Sequence, residues 1–544
     1  MVIIILTRYN HLKISHKINT KENTMVEQQP SLIKIFNTMT VIRNYHKCKK
    51  LEYHLTILDK ISRAEKFRFM RESIGKQQKV DLVIPRNYNL KALNEMIQGK
   101  QVYANKQYDF PCIPIKCNFE PRDDGQAAAL DWLDERFNIY SQNVLHLRTD
   151  DGKTFIALKF ICERQQTALI IVHNTGVLDQ WIDRIQTLTN IKREEIGVIQ
   201  GSNSLSKLSK NKYKIFIGIH RTLSNIIERS PKALHKFIME KSIRIKVVDE
   251  CHIELKSIWL IDSHTDIPVN VYLTGTAFRT DWRENISLQY LLPVRFAFGR
   301  GSEIVKEKDK YHTTIFTSYT TEIPSSVEAT LATNRGFNLN KWAKYSLKHS
   351  SILSNLITHY IKTINKRFPT EKLKYAIILK TLEQCSFIKS LLEEKGFNNI
   401  GMFNGVCPKN KRNDELKKEI IISTEKSFGS AMDTEVDVMI NFISIASKSL
   451  ILQLIGRLRK RKEAIFIDAY DKSIEAHVRM LEKRKKILKK ISVEDSMEEF
   501  NNTERKKKSS GKKYIRISDE MYKRFFSIYF NEDEKLFFTL FSFY

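Results

Sequence analysis

Two stretches of this chain hold the residue types that phosphate chemistry requires. One runs Asn143-Val144-Leu145-His146-Leu147-Arg148-Thr149-Asp150-Asp151-Gly152-Lys153-Thr154 and leads into the helical-looking Phe155 to Cys162. Gly152 lets a backbone approach a phosphate, Lys153 supplies a point charge to its oxygens, and Thr154 offers a hydroxyl to a divalent cation. A helix N-terminus adds its dipole to the same place. The full phosphate-loop pattern asks for glycine where Leu147 stands, and Asp150 and Asp151 bring negative charge into the loop. The other stretch is Lys246-Val247-Val248-Asp249-Glu250-Cys251-His252, an apolar run ending in paired carboxylates. Asp249 is suited to hold Mg²⁺, and Glu250 to polarise a water aimed at a γ-phosphate.

Two further segments fit around these. Val271-Tyr272-Leu273-Thr274-Gly275-Thr276 is a short apolar run that ends in hydroxyls and glycine. Leu452-Gln453-Leu454-Ile455-Gly456-Arg457-Leu458-Arg459-Lys460-Arg461 places a glutamine and guanidinium groups beyond another apolar run, which suits charge on a transferring phosphoryl group. Apolar runs of four to six residues ending in functional groups are buried parallel strands, whose carboxyl edge holds ligands in α/β sheets. The predicted fold class is therefore α/β.

Taken in order, these segments resemble the superfamily 2 helicases of the DExH-box branch, over roughly residues 119–475. UvsW of phage, the Rad25-like repair helicases and the poxvirus transcript-release helicases are the nearest in pattern. The resemblance implies two tandem RecA-like P-loop lobes that use ATP and Mg²⁺. It assigns phosphate binding to Thr149, Gly152, Lys153 and Thr154, with Thr154 and Asp249 on the metal and Glu250 on the water. Arg122 and Gln126 fall to adenine reading, Gly429 and Asp433 to the nucleotide side of motif V, and Thr274 and Thr276 to coupling. Gln453 and Arg457 fall to motif VI, with either Arg459 or Arg461 as its second arginine, because Lys460 stands at the expected position. His173, Thr175, His220, Arg221 and Asn404 fall to the sugar-phosphate backbone of a nucleic acid, with DNA favoured over RNA. The family usually has glycine at Asp150, and its adenine-reading arginine stands three residues before the glutamine, whereas Arg122 precedes Gln126 by four. Two alternatives stay open on these residues: an RNA motor, or a motor-like scaffold with little or no turnover.

Composition points the same way. Lys and Arg outnumber Asp and Glu by 91 to 62, giving +29 and a polyanionic partner. Part of that excess fits an AT-rich genome, viral or plasmid-like. The 7 cysteines are scattered without a Cys-x-x-Cys pair, which excludes a zinc ribbon and a disulfide framework and predicts a reducing, intracellular compartment. No run of about eighteen apolar residues predicts a membrane span. The expected layout is an N-terminal extension and accessory domain over 1–118, a first lobe over 119–299, a connector over 300–345, a second lobe over 346–471, and a basic, aromatic extension over 472–544. Residues before about 40 show little pattern, and Val80 to Pro85 is a plausible accessory strand. The helix from Ile474 to Val493 has two readings, a solvated face or a nucleic-acid-facing one.

Overall fold

Runs such as Ala168–Val172, ALIIV, have no polar side to give to water, so they are stable only where helices cover both faces of a parallel sheet. The computed structural model meets that requirement twice. It describes residues 31–501, leaving out 59–64, 75–78, 105–109, 138, 149–150, 202–203, 210–211, 276–281, 300–309, 334–335, 431–433 and 460–463. Thr149, Asp150, Thr276, Asp433 and Arg461 lie outside the described residues, as does the aromatic segment after 501. The chain divides into two compact units, the first built on the residues up to Lys306 together with Ser447–Gly456, and the second mainly on the others from Glu307 onward.

The first unit contains a six-stranded parallel sheet in the order Ile196–Ile199, Ile215–Ile219, Ala168–Val172, Ile245–Val248, Val269–Thr274, Gln142–His146. The second contains a seven-stranded parallel sheet in the order Ile400–Phe403, Ile420–Thr424, Tyr375–Leu379, Val438–Asn441, Ala464–Asp471, His312–Tyr319, Glu494–Glu499. If strands are counted in chain order within each sheet, both read 3-4-2-5-6-1, and the second adds its seventh strand at the edge. Two sheets with one permutation are the tandem RecA-like lobes expected from the motifs. In each, the strand order reverses between the second and fifth strands, the crevice where open α/β sheets bind ligands.

Three boundaries differ from the sequence reading. His312–Tyr319 lies in the stretch assigned to a connector, yet it is the first strand of the second sheet and pairs with Ala464–Asp471 along its whole length. Its alternation of Thr and Ser with aromatics hides it, since Thr314 and Thr317 are buried polar positions rather than loop residues. Past residue 471, the helix Glu475–Leu488 buries Ala476, His477, Leu481, Arg484 and Leu488, and Arg484 Nε donates to Asp468 Oδ2 at 2.8 Å. The helix is thus part of the second lobe, with Lys483, Lys486 and Lys489 exposed on its other face. At the amino end, Ser31–Ile35 and Met39–Arg43 are paired antiparallel strands inside the stretch described as patternless.

Those two strands belong to a five-stranded sheet in the order Arg71–Ile74, Val80–Pro85, Met39–Arg43, Ser31–Ile35, Gly99–Tyr103. This accessory sheet is fused to the first lobe. Ile33, Leu51 and Leu82 share one hydrophobic core with Leu169, Trp259 and Tyr272. Thr38 Oγ1 donates to the carbonyls of Asp262 and Thr265 at 2.8 and 2.7 Å, and Arg71 donates to the Ser263 carbonyl at 2.6 Å. Beneath that seam, Lys246 and Asp262 form an ion pair with no exposure, and the Tyr272 hydroxyl donates to the other Asp262 oxygen at 2.8 Å. Gln142 Nε2 donates to Tyr272, and Asn87 of the accessory domain donates to Gln142 Oε1 at 2.6 Å.

Candidate active site

The strand Gln142–His146 delivers the chain into the loop 147–152, and Gly152 starts the helix Lys153–Arg164. Gly152 has φ 81°, a left-handed conformation that a side chain disfavours. A Cβ there would also press into the Gln126 amide. Gln126 is buried, accepts from the Arg122 backbone N–H at 3.1 Å and donates to the Asp151 carbonyl at 3.3 Å. Both ends of the amide sent to adenine reading by the resemblance are therefore engaged with backbone, and Gln126 braces the phosphate loop. Arg122 is exposed and donates to Asp123 Oδ2 at 3.0 Å.

The acidic residues of the loop have a local use. Asp151 Oδ2 accepts from the Arg148 backbone N–H at 2.8 Å and lies 3.6 Å from the Arg148 guanidinium, so its charge is spent within the turn. Lys153 Nζ donates to the carbonyls of Leu147 and Arg148 at 3.3 and 3.1 Å, folded over the loop it would serve. Thr154 follows in the first turn of the helix, half-buried.

Asp249 and Glu250 leave the end of Ile245–Val248 at the point where the strand order reverses. Asp249 Oδ1 accepts from the Glu250 backbone N–H at 3.0 Å, and its Oδ2 accepts from the indole Nε1 of Trp181 at 2.9 Å. Glu250 has φ 45°, a conformation rare for a residue with a side chain and one that collects at functional sites. Its Oε2 is a buried atom 3.2 Å from His252 Nδ1, which also meets Thr274 Oγ1 at 2.9 Å. Thr274, assigned to coupling, thus reaches the carboxylates through His252. Burial and the neighbouring Glu250 charge raise the Asp249 carboxyl, whereas the Trp181 hydrogen bond and Lys153 work against that rise. Burial also opposes ionisation of Glu250, but Lys153 and His252 outweigh it and hold that carboxyl below its ordinary range.

Asp249 and Thr154 are hard oxygen donors, and each Asp249 oxygen accepts one bond from the residues named, which leaves lone pairs for a cation. Among the described residues no group of three His, Cys, Asp or Glu is set to hold a metal ion. Mg²⁺ takes one or two protein oxygens and draws the rest from water and substrate phosphates.

The residues assigned to nucleic acid separate into two sets. Thr175 opens the helix Thr175–Leu188, capped by Asn174, whose side chain accepts from Val177 N–H at 2.9 Å, and Arg221 is exposed in the first turn of His220–Arg229. His220 and Asn404, however, are 2% and 3% exposed. Asn404 Oδ1 accepts from the Val406 backbone N–H at 3.1 Å and shapes a turn, and burial pushes the His220 imidazole down to about 3. Neither side chain is presented to a phosphate, which corrects both assignments. His173, half-buried beside the Asp249 and Glu250 charges, is held below its ordinary range by burial.

Gln453 lies on the helix Lys448–Ile455, which groups with the first unit, and Arg457 follows it in the second. Arg459 pairs with the buried Asp437 at 3.2 Å, and its backbone N–H donates to the Val436 carbonyl, so its guanidinium is anchored in its own lobe. Gly429 falls in the helix Glu425–Ser430. Sequence reasoning missed Trp181 and Asp437. A buried tryptophan signals core until its N–H is seen to need a partner.

A family model described as type III restriction enzyme, res subunit, matches residues 118–279. A curated relative from Acanthamoeba polyphaga mimivirus, named as an ATP-dependent RNA helicase, is 23% identical over 344 residues, and the match spans 60% of this chain and 60% of the relative. Among solved structures, T4 UvsW aligns over 86% of this chain and 99% of its own at 16% identity, with a TM-score of 0.33. The Pyrococcus furiosus Hef helicase domain aligns over 66% and 97% at 14% identity, with a TM-score of 0.41. Dbp5 of S. cerevisiae, bound to RNA and ADP BeF3, aligns over 70% and 93% at 12% identity, with a TM-score of 0.46. Residues 118–279 are therefore similar to the family of that model, and the repeated sheet topology is that of two RecA-like lobes.

Proposed function

We propose that this protein is an ATP-dependent nucleic-acid motor of the DExH-box type that acts on DNA. The observation that carries the reading is the placement of Glu250 at the carboxyl edge of the sheet, at φ 45°, with His252 beside its Oε2 and the Lys153 charge helping to hold its carboxyl below the ordinary range. A carboxylate held below its ordinary range is a weak base, so its work is to orient a water by accepting its proton's hydrogen bond. That is sufficient for phosphoryl transfer, where positioning and electrostatics carry most of the catalysis. Lys153, released from the loop carbonyls, would neutralise phosphate oxygens, and Gly152 with the helix dipole would complete the cradle. Bound Mg²⁺, held by Thr154 and Asp249, would neutralise charge across the phosphates. Gln453 and Arg457 stay assigned to phosphoryl chemistry by their motif.

The His252–Thr274 contact supports the DExH reading, since the histidine of that motif is the group that joins the carboxylates to Thr274. Thr175 and Arg221, at the first turns of two helices on the same edge of the sheet, together with a net charge of +29, support backbone phosphates as the ligand. The motif resemblance favours DNA; the name of the mimivirus relative favours RNA as the second reading. ATP hydrolysis measured with single-stranded, duplex and forked DNA and with RNA separates them. DNA should stimulate most, with binding that weakens linearly in log salt. Hydrolysis indifferent to every nucleic acid would remove the motor reading, and stimulation by RNA alone would move the substrate to RNA.

A further inference from the structure

The carboxylate assigned to the metal does not set its own direction. A lone aspartate at a strand end rotates about two side-chain bonds, and in this chain both of its oxygens are fixed from outside. Oδ1 is held by the next backbone N–H, and Oδ2 by the indole of Trp181 at 2.9 Å. Trp181 is 2% exposed and sits in the second turn of Thr175–Leu188, packed with Phe160, Ile170 and Val247 in the core of the first lobe. The ring has no freedom to follow the carboxylate, so the carboxylate must follow the ring. Hydrogen bonds to a carboxylate are shorter and stronger than those between neutral groups, so the 2.9 Å contact fixes the direction of Oδ2.

We propose that Trp181 is a positioning residue for the metal-side carboxylate: its indole N–H keeps Asp249 aimed so that Mg²⁺ binds together with nucleotide. The inference rests on the nucleotide site proposed above. It also gives one rigid helix two tasks, because the turn that starts at Thr175 and the indole that holds Asp249 are on the same element.

The test compares the wild-type full chain with Trp181→Phe, which keeps a large apolar ring and deletes the donor. The affinity for ADP is measured by calorimetry with and without Mg²⁺. A hydrogen bond to a charged group supports a loss of about tenfold or more in Mg²⁺-dependent tightening of ADP, with metal-free ADP binding unchanged. Equal tightening in the two proteins would overturn the proposal. Wild-type protein that binds no nucleotide would instead refute the proposed function, so the two failures are distinct. Should Trp181→Phe not fold, the chain is labelled with 5-fluorotryptophan and the other four of its 5 tryptophans are assigned by substitution. The remaining fluorine resonance should move when Mg²⁺ is added to the ADP complex. A resonance that stays in place overturns the proposal.

Discussion

Gly152→Ala addresses the phosphate loop at the atom where two motifs meet. The alanine is asked to hold φ 81°, and a left-handed conformation costs a side-chain-bearing residue roughly 1–2 kcal/mol. Its Cβ also needs the space of the Gln126 amide, which must swing out and give up its bonds to the Asp151 carbonyl and the Arg122 N–H. Two such bonds are worth about 1 kcal/mol each in net terms, so the total cost is about 3–4 kcal/mol. The two parts separate in a double-mutant cycle. With Gln126→Ala already present there is no amide to displace, and Gly152→Ala should cost only the backbone term, leaving a coupling of about 1–2 kcal/mol. The assay is urea unfolding of the first unit, paired with titration of a fluorescent ATP analogue, since the same loop shapes both. Additivity within about 0.3 kcal/mol would refute the claim that Gln126 braces the loop.

Other consequences follow from buried charge and from the motif arginine. Lys246→Met leaves Asp262 charged, buried and held only by Tyr272, and should destabilise by about 3–5 kcal/mol, with much of that recovered in Lys246→Met/Asp262→Leu; a single variant as stable as wild type in urea would contradict the pairing. His146, His220, His312 and His477 are buried, and burial lowers them to about 4, 3, 4 and 3. Because these bases are depressed in the folded state, their contribution is complete above the unfolded value near 6.5 and is lost as pH falls from there toward 4. Each costs about 1.4 kcal/mol per pH unit, so urea midpoints should drop steadily between pH 6.5 and 5, and flat midpoints would refute neutral burial. Arg457→Ala should abolish turnover and leave ATP-analogue binding intact, whereas Arg459→Ala, which removes the guanidinium from the buried Asp437, should act through stability measured by thermal unfolding.

How much of this was legible in the sequence depends on whether a residue acts through its type or through its neighbours. The parallel strands were legible because ALIIV, IKVV and YAIIL have no polar face, and their ends carried the motifs. His312–Tyr319 was not, since six of its eight residues are Thr, Ser, Tyr or His and it gains its place by pairing with Ala464–Asp471 and Glu494–Glu499. Lys153, Asp249 and Glu250 were legible as chemistry at fixed spacing. Trp181 and Asp437 were not, because each acts on a group far away in the chain, 68 residues in the case of Trp181 and Asp249. His220 and Asn404 failed in the other direction. Their types suit phosphate contacts, but burial and a local turn take up the side chains, and no periodicity announces that.

Glu250 is the residue assigned to order the attacking water, and Glu250→Gln tests that role with the fewest other changes. The amide keeps the size of the carboxylate but loses the charge that Lys153 and His252 stabilise. Mg²⁺-dependent ATP hydrolysis, measured at saturating nucleic acid, should fall by about 10² or more while ATP-analogue affinity stays within about twofold. Hydrolysis at the wild-type rate in Glu250→Gln would contradict the assignment of the site, and with it the reading of this chain as an ATP-driven motor.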